Sequence, residues 1–285
     1  MPWRPDSPIE LPNGRLVCGQ HRLVVCYICT VDYSFMEEIL AEDQDSDDED
    51  VIDEETKIDE MLRLRVGTGR VIPTKFRPQN SKDTPQSLFP PGTTDASPCV
   101  CRFIHRNNAK QLLLYTDGAC LDNGGENPRA GYSVVFKPPI TPPNDAGYIG
   151  FRLENEGPTG EAHPQTSNRA ELRAVIAALR FRFWTSEGFN SLVIATDSKY
   201  AVNGATTWVR GWLKRDWKTT TGAAVKNRDL WECLLGEIER WDSNGMQVKF
   251  WHIPRDWNKD ADSHAKHAAA EDTRRCFMDV KGMFV

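Results

Sequence analysis

Two segments of the chain end alike. Tyr115-Thr116-Asp117-Gly118 and Ala195-Thr196-Asp197-Ser198 each place an aspartate directly after an apolar run. A third carboxylate, Glu171, stands between Ala170 and Leu172 in a stretch with helical spacing, and a fourth, Asp262, closes Asp260-Ala261-Asp262. Singly, each has an ordinary reading. An aspartate after a strand serves as a turn or N-cap residue, and a glutamate in a helix's first turn complements its dipole. Four carboxylates from two strand ends and two helices can meet at one point only if a cation offsets their repulsion. Oxygen donors suit Mg²⁺ or Mn²⁺, and paired ions of that kind serve in-line phosphodiester cleavage. Residue types alone carry the argument as far as a divalent-metal site.

Two other groupings carry chemistry. Cys18-x₂-His21-x₄-Cys26-x₂-Cys29 offers four ligands within twelve residues. That set could hold a tetrahedral Zn²⁺ and so help order a segment too small for its own core. Only Gly19 is there to turn the chain, so a β-hairpin with incidental cysteines is the alternative. Between Trp208 and Lys218, the cations Arg210, Lys214, Arg215 and Lys218 interleave with Trp208, Trp212 and Trp217. Such a pattern neutralises phosphates while offering flat apolar faces to nucleic-acid sugars. Tryptophans four apart also pack into cores, so Trp208 and Trp212 could both be buried; nucleic-acid contact is the favoured reading for Trp212 and the basic residues.

The elements that must position these groups follow from periodicity. Leu112 to Tyr115, Gly131 to Phe136, Tyr148 to Leu153, Leu192 to Ala195 and Val248 to Ile253 read as strands. Leu172, Val175, Ile176, Leu179 and Phe183 line one face of a helix over 169–183, opened by Thr166-Ser167-Asn168. Tyr200 to Trp212 reads as one or two helices, another follows Asn227, and an Ala-rich helix lies around 258–270. The order β-β-β-α-β-α-α-α-β-α gives an α/β fold, a five-stranded mixed sheet flanked by helices.

Charge divides the rest. Residues 37–60 hold fourteen acidic residues and one lysine, whereas 61–110 hold nine basic and two acidic, so the net charge of −6 says little about partners. The expected organisation is a small Cys/His module at 1–36, a largely disordered acidic-then-basic linker at 37–109, a catalytic domain at 110–272 and a tail at 273–285. No run approaches a membrane span, and the first residues lack a secretory core. An intracellular, nuclear or cytoplasmic protein is expected, with its eight cysteines reduced.

Taken in order, Tyr115 to Cys120, Thr166 to Leu172, Ala195 to Tyr200 and Asn258 to Asp262 resemble the catalytic domain of type 1 ribonuclease H over roughly residues 110–270, behind an unrelated N-terminal extension. The resemblance implies a ribonuclease H-like fold and an endonuclease that hydrolyses the RNA strand of RNA–DNA hybrids, leaving 5′-phosphate and 3′-hydroxyl ends. It assigns Asp117, Glu171, Asp197 and Asp262 to two Mg²⁺ ions, with Mn²⁺ as substitute, and His252 to proton transfer or product release. Asn123, Ser167 and Asn168 match positions that sense ribose 2′-hydroxyls. Thr166 and Asn227 match a DNA-phosphate pocket, and Trp208, Trp212 and Thr220 match the deoxyribose channel. Lys259 stands where relatives carry an acidic residue and His264 where they carry an apolar one. The expected partners are the hybrid and a protein docking on the N-terminal module, with the enzyme itself monomeric. The competing reading is a catalytically weak hybrid-binding adaptor.

Overall fold

The computed structural model describes residues 8–11, 16–26, 31–34, 65–94, 96, 99–139, 147–272, 274–279 and 281–282; the acidic run and Cys29 lie outside them. The chain forms two units, Met1–Lys57 and Ile58–Val285. In the first, β1 (Ile9–Glu10) pairs antiparallel with β2 (Leu16–Val17), and β3 (Val25–Cys26) with β4 (Val31–Asp32).

The second unit is built on one eight-stranded sheet. Its strands are β5 (Thr74–Lys75), β6 (Pro91–Thr93), β7 (Cys101–His105), β8 (Asn108–Leu121), β9 (Arg129–Val135), β10 (Tyr148–Arg152), β11 (Ser191–Thr196) and β12 (Gln247–His252). They run in the order β10-β9-β8-β11-β12-β5. β8 pairs antiparallel with β9 through its C-terminal half and with β7 through its N-terminal half, and β6 extends β7. On the other side β11, β12 and β5 follow parallel to it.

The central strands are apolar throughout because both faces are covered. Side chains alternate across a strand, so Leu112 and Leu114 join one core with Leu192 and Ile194, while Leu113 and Tyr115 join another with Val193 and Ala195. The first core lies under α2 (Ser167–Phe181) and α5 (Arg228–Ser243), which contribute Leu172, Val175, Ile176, Leu179, Leu230, Trp231, Leu234 and Ile238. Thr166 starts α2 by accepting a hydrogen bond from the Arg169 amide. α3 (Lys199–Asn203) passes through a π-helical turn at Gly204–Trp208 into α4 (Val209–Lys214).

The second core corrects the expected linker. Residues 65–109 are not a disordered tether: they carry β5, α1 (Pro85–Leu88), β6 and β7, and they cover the sheet's second face beside α6 (Lys259–Ala268). Leu88 and Phe89 are buried there, with Phe76 and Phe103 packed against them. Phe76 lies 4.9 Å from Trp251 between ring centroids. Arg102 of β7 donates two hydrogen bonds of 2.9 Å to Glu187, both side chains being buried. The segment reads as unstructured because its strands are short and Pro-flanked, and β5 and β7, which carry it into the sheet, gain their partners from β12 and β8. The sheet therefore has three strands beyond the expected five, and the domain begins well before residue 110. The expected tail also packs on the domain: Arg173 donates to the Met278 carbonyl, and the Gly282 amide to that of Phe181.

Candidate active site

β8 and β11 are parallel neighbours with Tyr115 opposite Ala195. That register places Asp117 and Asp197 side by side at the carboxyl edge, where open α/β sheets gather ligands. Glu171 comes from α2, which touches β8 at Gly118. A Cβ at Gly118 would collide with the backbone of Ala170 and Glu171, so glycine there sets how near the helix sits to Asp117. α2 begins at Ser167, two residues earlier than the periodicity predicts. Glu171 is thus beyond its first turn, and the helix-dipole reading of this glutamate fails.

Carboxylate oxygens of Asp117, Glu171 and Asp197 all lie within 4.8 Å of one another. Asp117 is buried at 4% exposure. Burial first, then the neighbouring Asp197, pushes its carboxyl up to about 8, with Asp262 adding to the rise. Glu171 is raised for the same reasons, burial and the charges of Asp117 and Asp197. Three crowded carboxylates, with the ionised forms of Asp117 and Glu171 disfavoured, fit a divalent cation, because oxygen donors converge and the missing element is positive charge.

Asp262 is not one of that close group. It lies in the first turn of α6, where its oxygens pair with Arg255 and, at 2.6 Å, with Lys266. Arg255 and Lys266 therefore neutralise the fourth carboxylate in this arrangement. His252 ends β12 opposite Thr196, exposed, one position along from Asp197 on the neighbouring strand.

Sequence reasoning assigned no role to Asn258. Its side chain is buried, and its Nδ2 donates to the Thr116 carbonyl at 3.1 Å, to Asp197 at 3.0 Å and to Asp117 at 3.3 Å. One amide thus holds both carboxylates, Asp197 just past the end of β11 and Asp117 within β8, which runs on to Leu121 rather than ending at Tyr115 as expected, and nothing short of the folded geometry signals it.

The expected substrate positions form two areas. Asn123 donates to Ser167 Oγ at 3.3 Å, with Asn168 exposed beside it on α2. Thr166 and Asn227 sit at the N-termini of α2 and α5, which Arg169 ties together through Asp229 at 2.9 and 2.5 Å. Asn227 adopts a left-handed backbone (φ 58°) and donates to the Tyr200 hydroxyl at 3.2 Å. The tryptophans divide. Trp208 is 42% exposed, whereas Trp212 is buried among Trp208, Trp217 and Trp231 and belongs to the core. Contact through the Trp212 face is thereby corrected. Arg210, Lys214, Arg215, Lys218 and Thr220 are exposed. Of the two departures, Lys259 pairs with Asp256 and His264 stacks on Tyr148 with centroids 3.4 Å apart.

The family model for RNase H matches residues 109–270. The chain belongs to the ribonuclease H family. It is 33% identical over 185 residues to human Ribonuclease H1, covering 63% of this chain and 57% of that one. It is 35% identical over 168 residues to Ribonuclease H of Treponema pallidum, covering 58% of this chain and 96% of that one. With Ribonuclease H of Tolumonas auensis the identity is 36% over 165 residues, 58% of this chain and 94% of that one. The chain thus spans little more than half the human relative's length, and nearly all of the two bacterial ones. The RNase H match begins at the hairpin between β7 and β8, so the layer formed by 65–105 stands outside it. Among the described residues no helix is long and apolar enough to cross a membrane.

Proposed function

We propose that this protein is an endoribonuclease that hydrolyses the RNA strand of RNA–DNA hybrids with Mg²⁺, Mn²⁺ substituting. The observation that carries the reading is the carboxylate group of Asp117, Glu171 and Asp197, converged at the sheet edge of a ribonuclease H domain. Asp117, Glu171 and Asp197 would hold divalent ions, which when bound would activate the attacking water and stabilise the leaving 3′-oxygen. The chain's own residues do the rest. Asn258 holds Asp117 and Asp197 together, and Asp262, once released from Arg255 and Lys266, supplies a fourth oxygen donor. His252, exposed beside Asp197, is placed to take a proton as product leaves.

Asn123, Ser167 and Asn168 present hydroxyl and amide groups suited to ribose 2′-hydroxyls, the groups that separate RNA from DNA. Thr166 and Asn227 receive a phosphate of the DNA strand, with Trp208 and Thr220 against its sugars. Arg210, Lys214, Arg215 and Lys218 add sequence-independent affinity through phosphates.

The test is cleavage of a labelled RNA–DNA hybrid with Mg²⁺, beside RNA–RNA, DNA–DNA and single-strand controls and the Asp117→Asn variant. Internal cuts confined to the RNA of the hybrid, lost in the variant, are the expected result. Binding of the hybrid without cleavage in Mg²⁺ or Mn²⁺ would select the adaptor reading instead.

A further inference from the structure

Among the described residues, one other group converges closely enough to hold an ion: Cys18, His21 and Cys26 of the N-terminal unit. Cys18 directly follows β2 and opens a turn closed by the Arg22 amide donating to the Cys18 carbonyl at 2.9 Å. Arg22 takes a left-handed backbone (φ 57°), uncommon without glycine. This turn swings His21 back over Cys18, and the Cys18 amide bonds to the Leu23 carbonyl at 2.9 Å. Cys26 arrives from β3, a different element.

His21 Nδ1 lies 3.7 Å from Cys18 Sγ and 3.5 Å from Cys26 Sγ. A ring nitrogen carries one proton or one lone pair, so a single Nδ1 would have to share one bifurcated bond between two sulfurs. Both distances instead match the edge of a metal tetrahedron. With Zn–S near 2.3 Å and Zn–N near 2.0–2.1 Å, a sulfur and a nitrogen on tetrahedral zinc stand about 3.5–3.6 Å apart.

The packing of the unit agrees. Its buried described apolar side chains are Val17, Cys18 and Cys26, two of them thiols. Thiolate and imidazole ligation directly offsets the conformational entropy of ordering a short segment. We infer that Cys18, His21 and Cys26 supply three of the four ligands of a tetrahedral Zn²⁺, His21 through Nδ1, and that this ion orders the N-terminal unit independently of the catalytic carboxylates.

The experiment measures metal in the full-length protein, purified without chelator and then gel-filtered. Elemental analysis of the wild type should give about one zinc per chain, and the Cys18→Ser/Cys26→Ser double variant at least about tenfold less. Asp117→Asn should retain the zinc, which separates this site from the carboxylates. Cobalt replacement should give the visible bands of a tetrahedral thiolate site in the wild type only. Zinc that survives the double cysteine change, zinc lost with Asp117→Asn, or a wild-type protein lacking stoichiometric metal would each overturn the proposal.

Discussion

Asp117 has its carboxyl raised from an ordinary 3.8 to about 8 by burial and by Asp197. The folded metal-free protein therefore binds more protons than the unfolded chain between those values. By linkage its stability falls as pH rises through that window, and a divalent cation, which takes the place of the proton, restores it. Melting in chelator at pH 5 and pH 8 checks this: Asp117→Asn should gain on the wild type at the higher pH. Adding Mg²⁺ at pH 8 should reverse the order, because only the wild type keeps all its oxygen donors. Asn258 acts one step further out. Asn258→Ala should leave the fold intact and weaken the Mg²⁺ dependence of cleavage roughly 10–100-fold, the range for residues that orient metal ligands. A magnesium titration of the cleavage rate reads the effect directly, and an unchanged midpoint would remove Asn258 from the site.

Among the elements, the layer formed by α1 and β5 to β7 is the least expected, and it is testable as part of the domain. Arg102 and Glu187 form a buried pair that joins β7 to the segment after α2. Arg102→Ala leaves Glu187 charged and only partly compensated by Arg182, so a loss of about 3–5 kcal/mol is expected. Phe89→Ala, emptying the second core beside Trp251, should cost a similar ~3–5 kcal/mol. Urea unfolding measures both as a lower midpoint with an unchanged slope. A midpoint that stays put would return residues 65–105 to the status of a tether.

At the scale of the whole molecule, charge is strongly uneven: an acidic run at 37–60 precedes the exposed cations of the α4 region. Cations on phosphates set the salt dependence of nucleic-acid binding, and the log–log slope drops by about one for each such cation removed. Replacing Lys214 and Lys218 by Gln should therefore reduce the slope of hybrid affinity against salt by roughly two. Deleting residues 37–60 should tighten hybrid binding at low salt and leave it unchanged at high salt, where the acidic charge is screened. Fluorescence anisotropy across a salt series separates the two effects, and equal affinities at low salt would exclude competition by the acidic run.

The element order after residue 107 and three of the four expected carboxylates of the cluster were legible in the chain itself; Asp262 pairs instead with Arg255 and Lys266. Side-chain period follows directly from backbone geometry, and Asp117 and Asp197 each stand two residues past the last pair of the parallel β8–β11 ladder, although β8 itself continues beside β9. Tertiary structure alone decided the rest, because each remaining feature depends on a partner distant in sequence. β5 is too short to show a period, β7 buries the charged Arg102, and they exist through β12 and β8. Gly118 sets how near Glu171 stands to Asp117 only because α2 lies there. Trp208 and Trp212 share one spacing and one chemistry, and only the packing of Trp217 and Trp231 buries the second. Asn258 is four residues from Asp262 in the chain, yet its amide serves Asp117 and Asp197, which no local pattern can express.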